Sequence, residues 1–111
     1  MSTPNDSTDF TFLNRRRNAY YLDEWLAEVP DQWRAWVTVF NDSIHGSVER
    51  YWDDDSVIFD SLWLPEDTQR HITLEGAKHA CEQMVRYGRD WHDLSDAEQA
   101  QVLAMLRGGA S

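Results

Sequence analysis

Apolar positions along this chain follow two periods. Between Asn14 and Val29, Tyr21, Leu22, Trp25, Leu26 and Val29 recur at the i, i+1, i+4, i+5, i+8 spacing of an amphipathic helix, which Pro30 would end. The run WRAWVTVF at 33–40 is aromatic and β-branched instead, as in a strand buried on both faces. SVERYW at 47–52 and VIFDSLWL at 57–64 read as a hairpin joined by the polar DDDS stretch, with a turn at 41–46 before it. In the second arm Val57, Phe59 and Trp63 share one side and Ile58, Asp60 and Leu62 the other. Both sides are partly apolar, so this strand is expected centrally or beneath a helix.

A polar connection from Pro65 to Arg70 leads to Thr73, which can cap a helix reaching Tyr87. Its stripe is Leu74, Ala77, Cys81 and Met84, flanked by Ala80 and Tyr87, and Gly88 stops it. Ser95 and Glu98 form a capping-box pair that opens a last helix, with Val102, Leu103 and Leu106 inward and Gly108 and Gly109 at its end. This order predicts an α+β fold: an N-terminal helix, a three-stranded antiparallel meander, and two C-terminal helices packed on the sheet. One rival is an all-α bundle with a helix at 31–52, since Trp33, Trp36, Val37, Phe40, Ile44, Val48 and Tyr51 also fall three and four apart. The Val-Thr-Val run, the Asn41-Asp42-Ser43 cluster and Gly46 are poor helix formers and weigh against it.

With 111 residues the chain suits one domain. Residues 1–13 read as a flexible tail with Phe10, Phe12 and Leu13 as anchors, 14–107 as the globular domain, and 108–111 as a loose C-terminus. No apolar run has the length of an export signal or approaches the ~20 residues of a membrane span, so a soluble, cytoplasmic protein is expected. The single cysteine, Cys81, excludes an internal disulfide and a cysteine zinc cage.

Charge changes the picture most. Twenty Asp and Glu face ten Lys and Arg, a net charge of −10, which argues against a general nucleic-acid or anionic-membrane binder. Six tryptophans and 41% hydrophobic residues argue equally against a disordered acidic chain. The excess is segregated: residues 18–67 hold twelve acids and only Arg34 and Arg50, whereas residues 68–111 hold six acids and five bases. Evenly spread acid would only keep a domain soluble, but a one-signed region steers a partner of opposite sign. Arg15, Arg16 and Arg17 run the other way and suit pairing with acids on the first helix, or with a carboxylate patch on a second copy as in a homodimer.

Residue patterns for chemistry are weak. Asp53-Asp54-Asp55 lacks the alternate spacing and glycine of a calcium loop, and His71, His79, His92 and Cys81 lack the second close pair that zinc needs. Cys81 lies on an apolar stripe and reads as a buried, inert thiol, and His45 beside Gly46 reads as a turn residue. Asp60 and Glu49 could form an acid/base pair, but no phosphate loop or nucleophile set accompanies them. Trp25, Trp33 and Trp36 fit the core; Trp52 and Trp63 fall at strand ends where an edge can be exposed, with burial the first expectation. The expected protein is therefore not an enzyme and uses no cofactor or metal. It is a small acidic inhibitor that binds the basic, nucleic-acid-binding surface of a protein target, of the anti-CRISPR, antirestriction or nuclease-immunity type. The partner-binding residues would be Asp42, Glu49, Trp52, Asp53, Asp54 and Asp55, with Asp23, Glu24 and Glu28 as a second edge. The alternative is a phage or accessory structural protein that self-assembles through an aromatic surface.

Overall fold

The computed structural model describes residues 11–15, 23–29, 33–41, 43–50 and 57–108. Five strands, β1 (Leu13–Arg15), β2 (Asp23–Val29), β3 (Trp33–Val39), β4 (Ile44–Arg50) and β5 (Val57–Asp60), form one antiparallel sheet in the order of the sequence. A 3-10 turn at Ser61–Trp63 and the single-turn helix α1 (Glu66–Gln69) lead to the long helix α2 (Leu74–Tyr87). A second 3-10 turn, Trp91–Asp93, precedes α3 (Asp96–Leu106). The α+β class and the meander are as expected, but the sheet has five strands rather than three, and no helix covers 31–52.

Where a helix was expected over 14–29, the described residues are strands, Leu13–Arg15 and Asp23–Val29, while Tyr21 and Leu22 lie outside the described residues. The helical spacing is accidental. β2 is a central strand, and it buries Ala27 among the helix-side core residues while Leu26 is buried in the alternate register row, between Leu13 and Trp36. A strand apolar on both faces shows adjacent apolar residues that imitate one stripe of a helix. Seven register pairs with β3 then override the helix preference of Leu, Ala and Glu. Leu13, expected in the tail, opens β1, and Phe12 packs against the core.

The expected turn at 41–46 is shorter. The Phe40 N–H donates to the Ser43 carbonyl at 2.8 Å, and β4 already starts at Ile44, so His45 and Gly46 are strand residues. Glycine in a strand marks close approach of another backbone. A Cβ on Gly46 would sit 3.1 Å from Cys81 Sγ and 3.7 Å from Ala77 Cβ, so the missing side chain lets α2 lie close against β4.

The core lies between the helices and one sheet face. Ala27, Ala35, Val48 and Phe59 form one cross-strand row, and Ala77, Ala80, Cys81 and Met84 face it from α2, all essentially inaccessible. Val102 and Leu106 of α3 complete the layer. Each large side chain in this layer, such as Phe59, Met84 or Leu106, contributes roughly 1.5–3 kcal/mol through burial. The helix ends are as expected: Thr73 Oγ1 accepts the Gly76 N–H at 3.0 Å, Gly88 takes a left-handed conformation (φ 66°), and Ser95 and Glu98 form a complete capping box. Among the described residues, no helix is long and apolar enough to cross a membrane.

Candidate functional site

The sheet face away from α2 is defined by the ladder. Alternation puts Leu26, Trp36 and Ser47 in one register row, Glu28, Arg34 and Glu49 in the next, and Glu24, Thr38 and His45 in a third. Trp36 sits at the centre of this face and is half-buried, not in the helix-side core where the sequence suggested it. Its indole N–H donates to Glu49 Oε2 at 3.0 Å, and the Arg34 guanidinium lies 5.7 Å from the indole centroid. Glu49 is thus a carboxylate anchored by an aromatic donor next to a cation, so its position is fixed before any partner arrives.

The remaining expected site residues divide. Asp42, Trp52, Asp53, Asp54 and Asp55 lie outside the described residues. Asp23, Glu24 and Glu28 belong to β2, so they do not form the edge of a helix. Asp23 pairs with Val39 in a row that includes Ile44, whereas Glu24 and Glu28 occupy the alternate rows shared with His45 and Glu49. Strand periodicity therefore separates Asp23 from the other two. Asp60 and Glu49 do not face each other, because Asp60 pairs with Ser47 and Glu49 with Val57 across the β-bulge. Asp60 instead accepts the Leu62 N–H at 3.0 Å and caps the 3-10 turn.

Acids continue along the chain from the sheet edge. Glu66 and Asp67 open α1; Arg70 reaches Glu66 at 3.4 Å and His71 reaches Asp67 at 3.8 Å, all strongly exposed. Between the β3–β4 turn and α1 lies a shallow cleft of about 410 Å³, lined by Phe40, Ser43, Ile44, Arg70 and Ile72 among others. A smaller groove of about 290 Å³ runs beside His79, Glu82, Arg86 and Met105, where Arg86 already holds Glu82 at 2.6 Å.

The histidines and the cysteine are dispersed. His71, His79 and His92 are exposed at separate places on α2 and the turns, and among the described residues no three His, Cys, Asp or Glu side chains gather as a metal site. His45 packs on Phe40 with ring centroids 4.7 Å apart. Burial lowers its pKa, and the charge of Asp60 opposes that effect. Cys81 is fully buried, and loss of solvation pushes its thiol up to about 12, so it carries no thiolate at neutral pH.

Trp33 is buried and Trp25 partly so, with Lys78 Nζ 3.7 Å from the Trp25 ring centroid. Trp63, for which burial was the first expectation, is exposed together with Leu62. The signal was present in the sequence, since β5 would have to continue past Asp60 to bury Trp63, and Asp60-Ser61 is a pair that favours a cap over a strand. Gln69, which fixes the turn, gives no such signal. Comparison with protein-family models, with curated proteins and with solved structures finds no match for this chain.

Proposed function

We propose that the protein is a non-enzymatic acidic inhibitor that binds a basic, nucleic-acid-binding surface of another protein. The observation that carries this reading is the segregation of charge: the whole excess lies in residues 18–67, the sheet and its connections, while the residues 68–111 of the helical layer are nearly balanced. A one-signed region of chain raises the encounter rate with a cationic surface, and a sheet presents the carboxylates it carries at fixed spacing. Glu49, held by Trp36, shares its sheet face with the register positions of Glu24 and Glu28, and with Arg15 and Arg34 in the same rows. Asp42, Trp52 and the Asp53-Asp54-Asp55 run, the densest acid cluster of the sequence, are the further candidate contacts.

The test is charge reversal. Asp53→Lys, Asp54→Lys and Asp55→Lys combined should slow association with a captured cationic partner and flatten its salt dependence, with the melting transition unchanged. Association at the unaltered rate would remove this segment from the interface. Self-assembly, the rival, draws on the exposed Leu13, Leu62 and Trp63 and expects a particle size that grows with concentration even at high salt.

A further inference from the structure

Leu62 and Trp63 are 48% and 65% exposed, yet the turn that carries them is hydrogen-bonded at Ser61, Leu62 and Leu64. Asp60 accepts the Leu62 N–H at 3.0 Å, and the Leu64 N–H donates to the Ser61 carbonyl at 3.2 Å. The Gln69 amide donates to the carbonyls of Leu62 at 2.9 Å and Leu64 at 2.5 Å, bracketing Trp63 on both sides. Ser61, fully buried, accepts the Gly46 N–H through its hydroxyl at 2.7 Å and ties the turn to β4, while Leu64 is buried. A mere connection from β5 to α1 would be served by polar residues. Here two large apolar side chains are held out on a backbone with little freedom to withdraw them.

The neighbouring sequence is acidic. Asp60, Glu66 and Asp67 lie within four residues of the pair, against Arg70 as the one fixed cation of this short stretch. Tryptophan is enriched at interface hot spots, and a turn already ordered avoids the entropy cost of ordering it on binding.

We propose that Leu62 and Trp63 are the apolar anchor for a partner protein whose own apolar patch is rimmed by lysine or arginine. The proposal rests on the reading of the chain as a binder of basic protein surfaces and names where binding energy beyond charge comes from. Charge decides the occupant. A second copy docked by the same face would bring Asp60, Glu66 and Asp67 against their own kind, whereas a basic rim pairs with them.

The simplest surface of that chemistry is an amphipathic helix of leucine and lysine, about 18 residues long. Its binding to the full chain is measured by fluorescence anisotropy beside a leucine–glutamate peptide of the same pattern and a lysine–serine peptide without an apolar face. The leucine–lysine peptide should bind at least about tenfold tighter than either control, and Trp63→Ala should weaken it by about tenfold or more. On the unaltered chain, the Trp63 indole N–H resonance, assigned by its loss in Trp63→Phe, should shift on titration. Trp63→Ala binding as tightly as the parent, an unmoved indole resonance, or equal binding of the leucine–glutamate peptide would each overturn the anchor. If Trp63→Ala keeps its affinity while Glu66→Gln with Asp67→Asn loses it, the anchor falls and the acidic-binder reading stands. If neither lysine peptide binds, both fall. Self-association in sedimentation that Trp63→Ala abolishes would assign the anchor to a second copy and overturn the basic partner.

Discussion

Replacing Gly76 with alanine sets two opposed effects against each other at one position. In a helix interior alanine is favoured over glycine by about 1 kcal/mol, so on propensity alone Gly76→Ala should stabilise α2. The structure reverses the sign. A Cβ at Gly76 would meet the carbonyl oxygens of Met105 and Leu106 well inside contact distance, and Thr73 Oγ1 at 2.7 Å. The first two are backbone atoms of the last turn of α3 and have no rotamer to escape into. Moving α3 away would also stretch the bond from the Thr73 N–H to the Leu106 carbonyl, now 2.9 Å. Overpacking of this kind costs about 1–3 kcal/mol, and loss of the hydrogen bond about 1 kcal/mol more. Less the propensity gain, the net is a destabilisation of about 1–3 kcal/mol. Urea titration followed by circular dichroism should show a lower midpoint at an unchanged slope, and the melting temperature should fall by about 4–8 °C for each kcal/mol. A variant as stable as the parent, or more so, would refute the argument that close contact between α2 and α3 requires glycine here.

Four further outcomes follow from other contacts of the fold. Gly46→Ala should destabilise by about 1–3 kcal/mol, and Cys81→Ala, by removing the sulfur that the new methyl would meet, should recover part of that loss in a double-mutant cycle; simple additivity would contradict the close approach of α2 to β4. Ser95→Ala should cost about 1 kcal/mol by removing the α3 cap. Bonding to the Ser95 backbone N–H, and then to Arg89, lowers the pKa of Glu98 below 4.5, so its stabilisation is complete above that pH and is lost as the pH falls through the lowered value; Glu98→Gln should flatten the acid limb of a stability–pH curve, and an unchanged limb would count against the box. Cys81, buried and protonated, should react with a disulfide reagent only at the rate of unfolding, whereas immediate labelling of the native protein would place the thiol at the surface.

Elements whose ends are written in side chains were legible in the sequence. Thr73, Gly88 and the Ser95–Glu98 pair each satisfy a helix terminus locally, so α2 and α3 can be read without knowing what they pack against. β2 is the opposite case. Glu24, Leu26, Ala27 and Glu28 favour helix by themselves, and only pairing with β1 on one side and β3 on the other makes the segment a strand. Gly46 reads locally as a turn residue because glycine breaks both regular structures, while its actual role is set by Cys81 and Ala77, thirty-five and thirty-one residues away. The acidic region was legible as composition. Its arrangement was not, because helix and strand periods distribute Asp23, Glu24 and Glu28 differently, and because the donor for Glu49 is an indole thirteen residues earlier in a neighbouring strand. The pinned turn at Leu62 and Trp63 depends on Gln69 and Gly46, which no local pattern connects to it.

The proposal's central claim is that the acidic segment 18–67 occupies a surface made for nucleic acid. The most direct measurement immobilises the chain, exposes it to a nuclease-treated lysate at low salt, and then elutes with duplex DNA free of protein, with an uncharged polymer as control. The account expects a nucleic-acid-handling protein to be released by the DNA and by high salt, and to be retained under the polymer. A captured protein that stays bound under saturating DNA would contradict it, as would recovery of the chain alone.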